Sequence, residues 1–119
     1  MGTQVEGDAA VWVLAPGSAL NSSSTRFTAI VSRLGCNNGI TGQVRAPDIN
    51  MGDSEVVVTF TVAPKELNAA NCLGNEEVPY EVDLGEPLLD RKLIDGQCLP
   101  GAEAVTTSWC VPESARYTP

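Results

Sequence analysis

Val56-Val57-Val58-Thr59-Phe60-Thr61-Val62 decides the fold. Val56, Val58, Phe60 and Val62 fall on one face, and Val57, Thr59 and Thr61 on the other. Successive side chains of an extended chain point to opposite sides, so this alternation is that of a half-buried β-strand. Val78-Pro79-Tyr80-Glu81-Val82-Asp83-Leu84 repeats it, with Val78, Tyr80, Val82 and Leu84 inward and Glu81 and Asp83 toward solvent. Pro79 has no N–H to give to a ladder, which puts this strand at a sheet edge or makes Pro79 its start. Residues 26–34 read as a third strand, with Phe27, Ala29 and Val31 on the core face. Residues 10–14, holding Trp12, read as a fourth. Residues 42–46 and 91–94 are shorter candidates, and 104–108 is the weakest.

Turn signals separate these runs. Pro16-Gly17 and Asn21-Ser22-Ser23-Ser24 make the first loop, and Asn37-Asn38-Gly39 a tight turn, since asparagine and glycine tolerate positive φ. Asn50-Met51-Gly52-Asp53 joins two strands as a hairpin. Residues 64–71 fit one helical turn opened by Pro64. Gly85-Glu86-Pro87 and Asp95-Gly96 punctuate the last third. The expected architecture is all-β: an immunoglobulin-like antiparallel β-sandwich of about seven short strands, with a small β-barrel as the alternative. Residues 1–110 form one domain and 111–119 an irregular tail.

Composition removes several functions. The 119 residues carry a formal charge of −8 and no histidine. Without imidazole there is no Ser-His-Asp triad, no Cys-His dyad and no zinc site that needs histidine. The negative charge opposes nucleic-acid binding, which relies on clustered Lys and Arg. The longest apolar run, residues 9–15, is far short of the ~20 residues of a membrane helix. Met1-Gly2-Thr3-Gln4-Val5-Glu6 lacks the regions of a secretory signal, and Glu6 stands where myristoylation requires Ser or Thr. Two readings fit that start, a cytosolic protein or the mature part of an exported one.

The cysteines decide between them. Cys36, Cys72, Cys98 and Cys110 are an even set with no C-x-x-C pair, which argues against a redox motif or a Cys₄ zinc knuckle and for two disulfides. Three connectivities are open. Cys36–Cys72 with Cys98–Cys110 is favoured, because the second pair closes one short loop containing Gly and Pro. Loop-closure entropy makes such bridges worth about 4 and about 3 kcal/mol. Stabilisation of that kind belongs to an oxidising compartment, so the expected location is secreted or cell-surface.

The run Tyr80-Glu81-Val82-Asp83-Leu84-Gly85-Glu86-Pro87-Leu88-Leu89-Asp90-Arg91-Lys92-Leu93-Ile94-Asp95-Gly96 resembles a V-x-L-x-x-P-L-G-D-R-x-L-x-D-G pattern of small exported or lipoprotein-like actinobacterial proteins of uncharacterised function. Cys36-Asn37-Asn38-Gly39, Val56-Val57-Val58-Thr59-Phe60 and Cys72-Leu73-Gly74-Asn75 are similar too, so the likeness spans residues 11–96. It implies export, and a tether through a lipidated N-terminal cysteine that this sequence does not contain. Leu89 stands where the pattern has glycine, which puts the turn before Asp90 in question.

Candidate functional residues are few. Arg91 fits a bidentate pair with Asp90, Asp95 or Glu86 that ties a corner of the sheet, or else an interface contact. Trp109, beside Cys110, either packs on the disulfide or is exposed as an interface anchor. Asp48, Asn50, Asp53 and Glu55 are weak calcium candidates, because Gly52 interrupts the EF-hand order. No cofactor and no catalytic set is read. The expected function is a non-enzymatic extracytoplasmic accessory or binding module of the cell envelope, meeting a protein or glycan. The alternatives are a calcium-dependent adhesion or stability module and a hydrolase using a carboxylate pair.

Overall fold

A computed structural model of the chain describes residues 7–35, 39–64, 75–111 and 114–119. Seven strands form: β1 (Asp8–Leu14), β2 (Arg26–Arg33), β3 (Asp48–Met51), β4 (Glu55–Val62), β5 (Val78–Asp83), β6 (Lys92–Asp95) and β7 (Ala115–Tyr117). One 3-10 turn, Gly96–Cys98, follows β6. All seven strands belong to one open mixed sheet in the order β5-β2-β1-β4-β6-β7, with β3 also paired to β4.

β4 is the hub of this sheet. Its alternation is complete, with Val56, Val58, Phe60 and Val62 buried and the intervening residues half-buried. β3 lies antiparallel along one edge over Val56–Thr59, and residues 43–45 continue that edge through Arg45 N–H to Thr61 O and Ala63 N–H to Gln43 O. The other edge changes partner midway. Glu55–Val58 pair in parallel with β6, and Phe60–Val62 pair antiparallel with β1. This corrects the expectation of an antiparallel sandwich: the strands form one sheet, and its pairing is mixed. β4 and β6 are separated by a long connection that includes β5, and such a crossover leaves two strands free to run the same way.

The sheet curls around its core. Trp12 stacks on Phe27 at 5.2 Å between ring centroids, and Phe60 meets Tyr80 edge-on at 5.4 Å. β4 and β5 are three strands apart in the sheet, about 14 Å if it were flat. That ring contact therefore requires the sheet to bend until its outer strand faces its hub. Val31, Val56, Val58, Val62, Val82, Leu88 and Leu93 fill the rest. β5 is an edge strand, one of the two placements that Pro79 allows.

The back of β1 is covered as well. Val11 packs with Cys98, Ala104 and Cys110, with Leu34 and Trp109 against them. This is why residues 9–12 are buried without alternation. The covering segment, expected in part as a strand over residues 104–108, is instead a run of tight turns: Ala104 N–H bonds Gln97 O, Thr107 N–H bonds Ala104 O and Cys110 N–H bonds Thr107 O. The Cys98–Cys110 disulfide closes it, as expected, with the Cα atoms 5.4 Å apart.

Three other expectations change. Residues 42–46 contribute one bridge, Val44 to Val62, rather than a strand. Residues 48–51, expected as part of a loop, form β3, and 115–117, expected as irregular tail, form β7. The Cys36–Cys72 pairing, the Asn37-Asn38 turn and most of the 64–71 helical turn lie outside the described residues. No helix among the described residues is long and apolar enough to cross a membrane.

Candidate functional site

After β5 the chain makes a compact turn. Asp83 Oδ1 accepts from Gly85 N–H at 2.9 Å, and Leu84 N–H bonds Thr25 O at 2.8 Å. Leu88 N–H and Leu89 N–H then bond Ser24 O and Ser22 O, each at 2.8 Å, docking the turn on the first loop. The Leu88 side chain enters the core. The next residue must reverse the chain, and Leu89 does so at φ +59°, the one non-glycine residue with positive φ among those described. The turn before Asp90, put in question by the leucine, is made with that leucine in the left-handed conformation. Leu89 is 54% exposed.

Arg91 holds this turn together. Its Nε donates to Leu88 O at 3.0 Å, its Nη2 to Pro87 O at 2.7 Å and to Glu86 Oε2 at 3.1 Å, and its Nη1 to Gly52 O at 3.3 Å. Of the three carboxylates weighed as its partner, Glu86 is the one engaged. The side chain is only 9% exposed, so Arg91 lies beneath the surface rather than projecting from it. Its bond to Gly52 O ties the turn to the β3–β4 hairpin. Between the two turns lies an open hollow of about 350 Å³, lined by Gly52, Asp53, Leu89, Asp90 and Arg91.

The other sequence candidates are dispersed. Asp48 and Asn50 occupy exposed positions along β3, Asp53 the hairpin turn and Glu55 the start of β4. No three Asp, Glu or Cys side chains gather as a metal site among the described residues. Glu81 and Asp83 form the expected solvent face, and both reach Arg26, at 3.6 and 3.3 Å. Trp109 is half-buried against the disulfide cluster.

Two buried polar clusters escaped sequence reasoning. Asp95, fully buried, accepts from Trp12 N–H at 3.0 Å, Gln97 N–H at 2.9 Å and Arg116 Nη2 at 3.0 Å. Burial pushes its carboxyl above the ordinary aspartate range, against the pull of those hydrogen bonds and of Arg116. Arg33, on β2, spends Nε on Thr41 O at 3.1 Å and Nη2 on Ala63 O at 2.5 Å, and pairs with Asp8. It lines a smaller cleft of about 200 Å³ with Asp8, Ala9, Leu34, Gly35 and Glu103. One signal pointed to each residue: Arg33 ends an apolar strand run, and Asp95 precedes a glycine. Neither announced burial.

The Leu89 hollow differs from these clusters in offering an exposed apolar side chain and two exposed carboxylates, Asp53 and Asp90, over a rigid floor. Such a surface can hold a ligand by contact and charge. No protein-family model, curated protein or solved structure matches the chain.

Proposed function

We propose that this protein is a non-enzymatic, extracytoplasmic binding module of a cell envelope that meets a partner through the turns at one end of its sheet. One observation carries the reading: Leu89 is exposed beside an open hollow in a left-handed conformation. That conformation costs a non-glycine residue roughly 1–2 kcal/mol, and the buried Leu88 already supplies the apolar contact of the turn. Residues held in such sparsely populated backbone conformations cluster at contact sites, which supports this reading. The Cys98–Cys110 disulfide and the resemblance to exported actinobacterial proteins support the location.

The test pairs two measurements. Thiol trapping of the protein in its source cells should find its cysteines oxidised, and purified wild type should be retained on the envelope fraction of those cells. Free thiols in situ refute the location. Equal retention of wild type and a folded Leu89→Gly variant refutes the surface.

A further inference from the structure

We infer that the Leu89 hollow receives a lysine or arginine side chain of a protein partner, with Leu89 packing on its aliphatic stem and Asp53 and Asp90 facing its charge; this rests on the binding-module reading and names the partner's chemistry. The two carboxylates come from different turns, the β3–β4 hairpin and the turn before β6, and Arg91 fixes one turn against the other through Gly52 O. Arg91 does not make the hollow an anion site. Its charge is met by Glu86, and four of its hydrogen bonds go to Glu86 and to the Leu88, Pro87 and Gly52 carbonyls.

The remaining charge of the hollow is acidic, on a chain of formal charge −8, so the complementary occupant is a cation. The exposed leucine selects among cations. A metal ion or a small ammonium leaves it uncovered, whereas Lys and Arg carry a methylene stem that lies along apolar surface while the head group stays with the carboxylates. The volume, about 350 Å³, leaves room for a long side chain of this kind.

Titration of ¹⁵N-labelled protein with the acetylated, amidated peptide Gly-Leu-Lys-Leu-Gly, and with versions carrying arginine, norleucine or glutamate in the middle, tests this. The lysine and arginine peptides should give saturable shifts at Gly52, Asp53, Leu89 and Asp90. Norleucine should bind more weakly and glutamate not at all. Asp53→Asn and Asp90→Asn should each weaken the lysine peptide about two- to fivefold, the scale of an exposed ion pair. Leu89→Gly should weaken lysine and norleucine peptides alike. Equal binding of lysine and norleucine, or shifts spread over Glu81 and Asp83 instead of the hollow, overturns the proposal. Saturable shifts at the hollow with a neutral oligosaccharide and none with the peptides also overturn it, while leaving the binding module in place.

Discussion

Asp95 and Arg116 form an ion pair, Oδ2 to Nη2 at 3.0 Å, in which the Asp95 side chain is fully buried and that of Arg116 is 7% exposed. It sits where β4 exchanges β6 for β1. A strand that changes partner leaves backbone groups without a ladder, and three side chains take them up here. Asp95 accepts the Trp12 N–H, the Trp12 indole Nε1 donates to Val58 O at 2.9 Å, and Gln97 Nε2 donates to Phe60 O at 3.2 Å. Arg116 comes from β7 and also donates to Trp109 O at 2.9 Å, so it links the last strand to the disulfide-closed segment. One polar cluster thus joins both halves of the sheet and the cover on its back.

Arg116→Met should destabilise the protein by about 3–5 kcal/mol at neutral pH, because it leaves a buried carboxylate without its counter-charge. Urea unfolding measures this. The loss should shrink in acid, where the carboxyl can take up a proton. A loss below about 1 kcal/mol at neutral pH would show that Arg116 does not compensate Asp95.

Asp95 also gives stability a pH dependence of defined sign. The unfolded chain titrates near 3.8, and the folded carboxyl titrates higher because it is desolvated. Between the two values the native state keeps a proton that the unfolded state has released. The contribution is therefore full below 3.8 and is lost as pH rises through the raised native value. The stability of wild type relative to Asp95→Asn should fall over that window. A difference that stays flat from about pH 3 to about pH 7 contradicts the shift.

Leu89→Gly should raise stability by about 1 kcal/mol, since glycine takes positive φ without the penalty a side chain incurs. Thermal melting checks it. A lower melting temperature would mean that the leucine contributes packing that its exposure does not reveal.

Gly96→Ala should destabilise strongly, by about 1–3 kcal/mol, because the added Cβ would fall 1.7 Å from Thr59 Oγ1 and 2.8 Å from Thr59 Cβ. Pairing it with Thr59→Gly should recover part of the loss. A double-mutant cycle measures the coupling, and strict additivity would exclude the contact as the cause.

Replacing Cys98 and Cys110 together by serine should cost about 3 kcal/mol, the loop-closure entropy for a separation of 12 residues. Hydrogen exchange in the same variant should rise at Ala115–Tyr117, since the freed segment carries the Trp109 carbonyl that holds Arg116. Unchanged exchange there would separate the disulfide from the last strand.

The strands visible beforehand were those whose apolar residues alternate: β4, β5 and β2 could be read from period two alone. β3 and β7 were not visible. Asp-Ile-Asn-Met and Ala-Arg-Tyr are too short and too polar to show a period, and each is a strand because a neighbour offers a ladder. The Cys98–Cys110 bridge was legible because few residues separate the two cysteines. Arg91 was legible as a corner tie, although the choice of Glu86 over Asp90 or Asp95 depended on where the turn aimed the guanidinium.

What the chain determines by itself is what neighbours in sequence decide. Alternating side chains make strands, glycine and proline make turns, and the absence of histidine removes whole classes of chemistry. What only the folded molecule decides is the fate of groups far apart in the chain. Asp95 meets Trp12 across 83 residues because β1 and β6 share one edge of β4, and Gly52 faces Leu89 because Arg91 draws two turns together. Such pairings depend on which strand wins each edge, and that competition is settled by burial over the whole sheet rather than by any local pattern of residues.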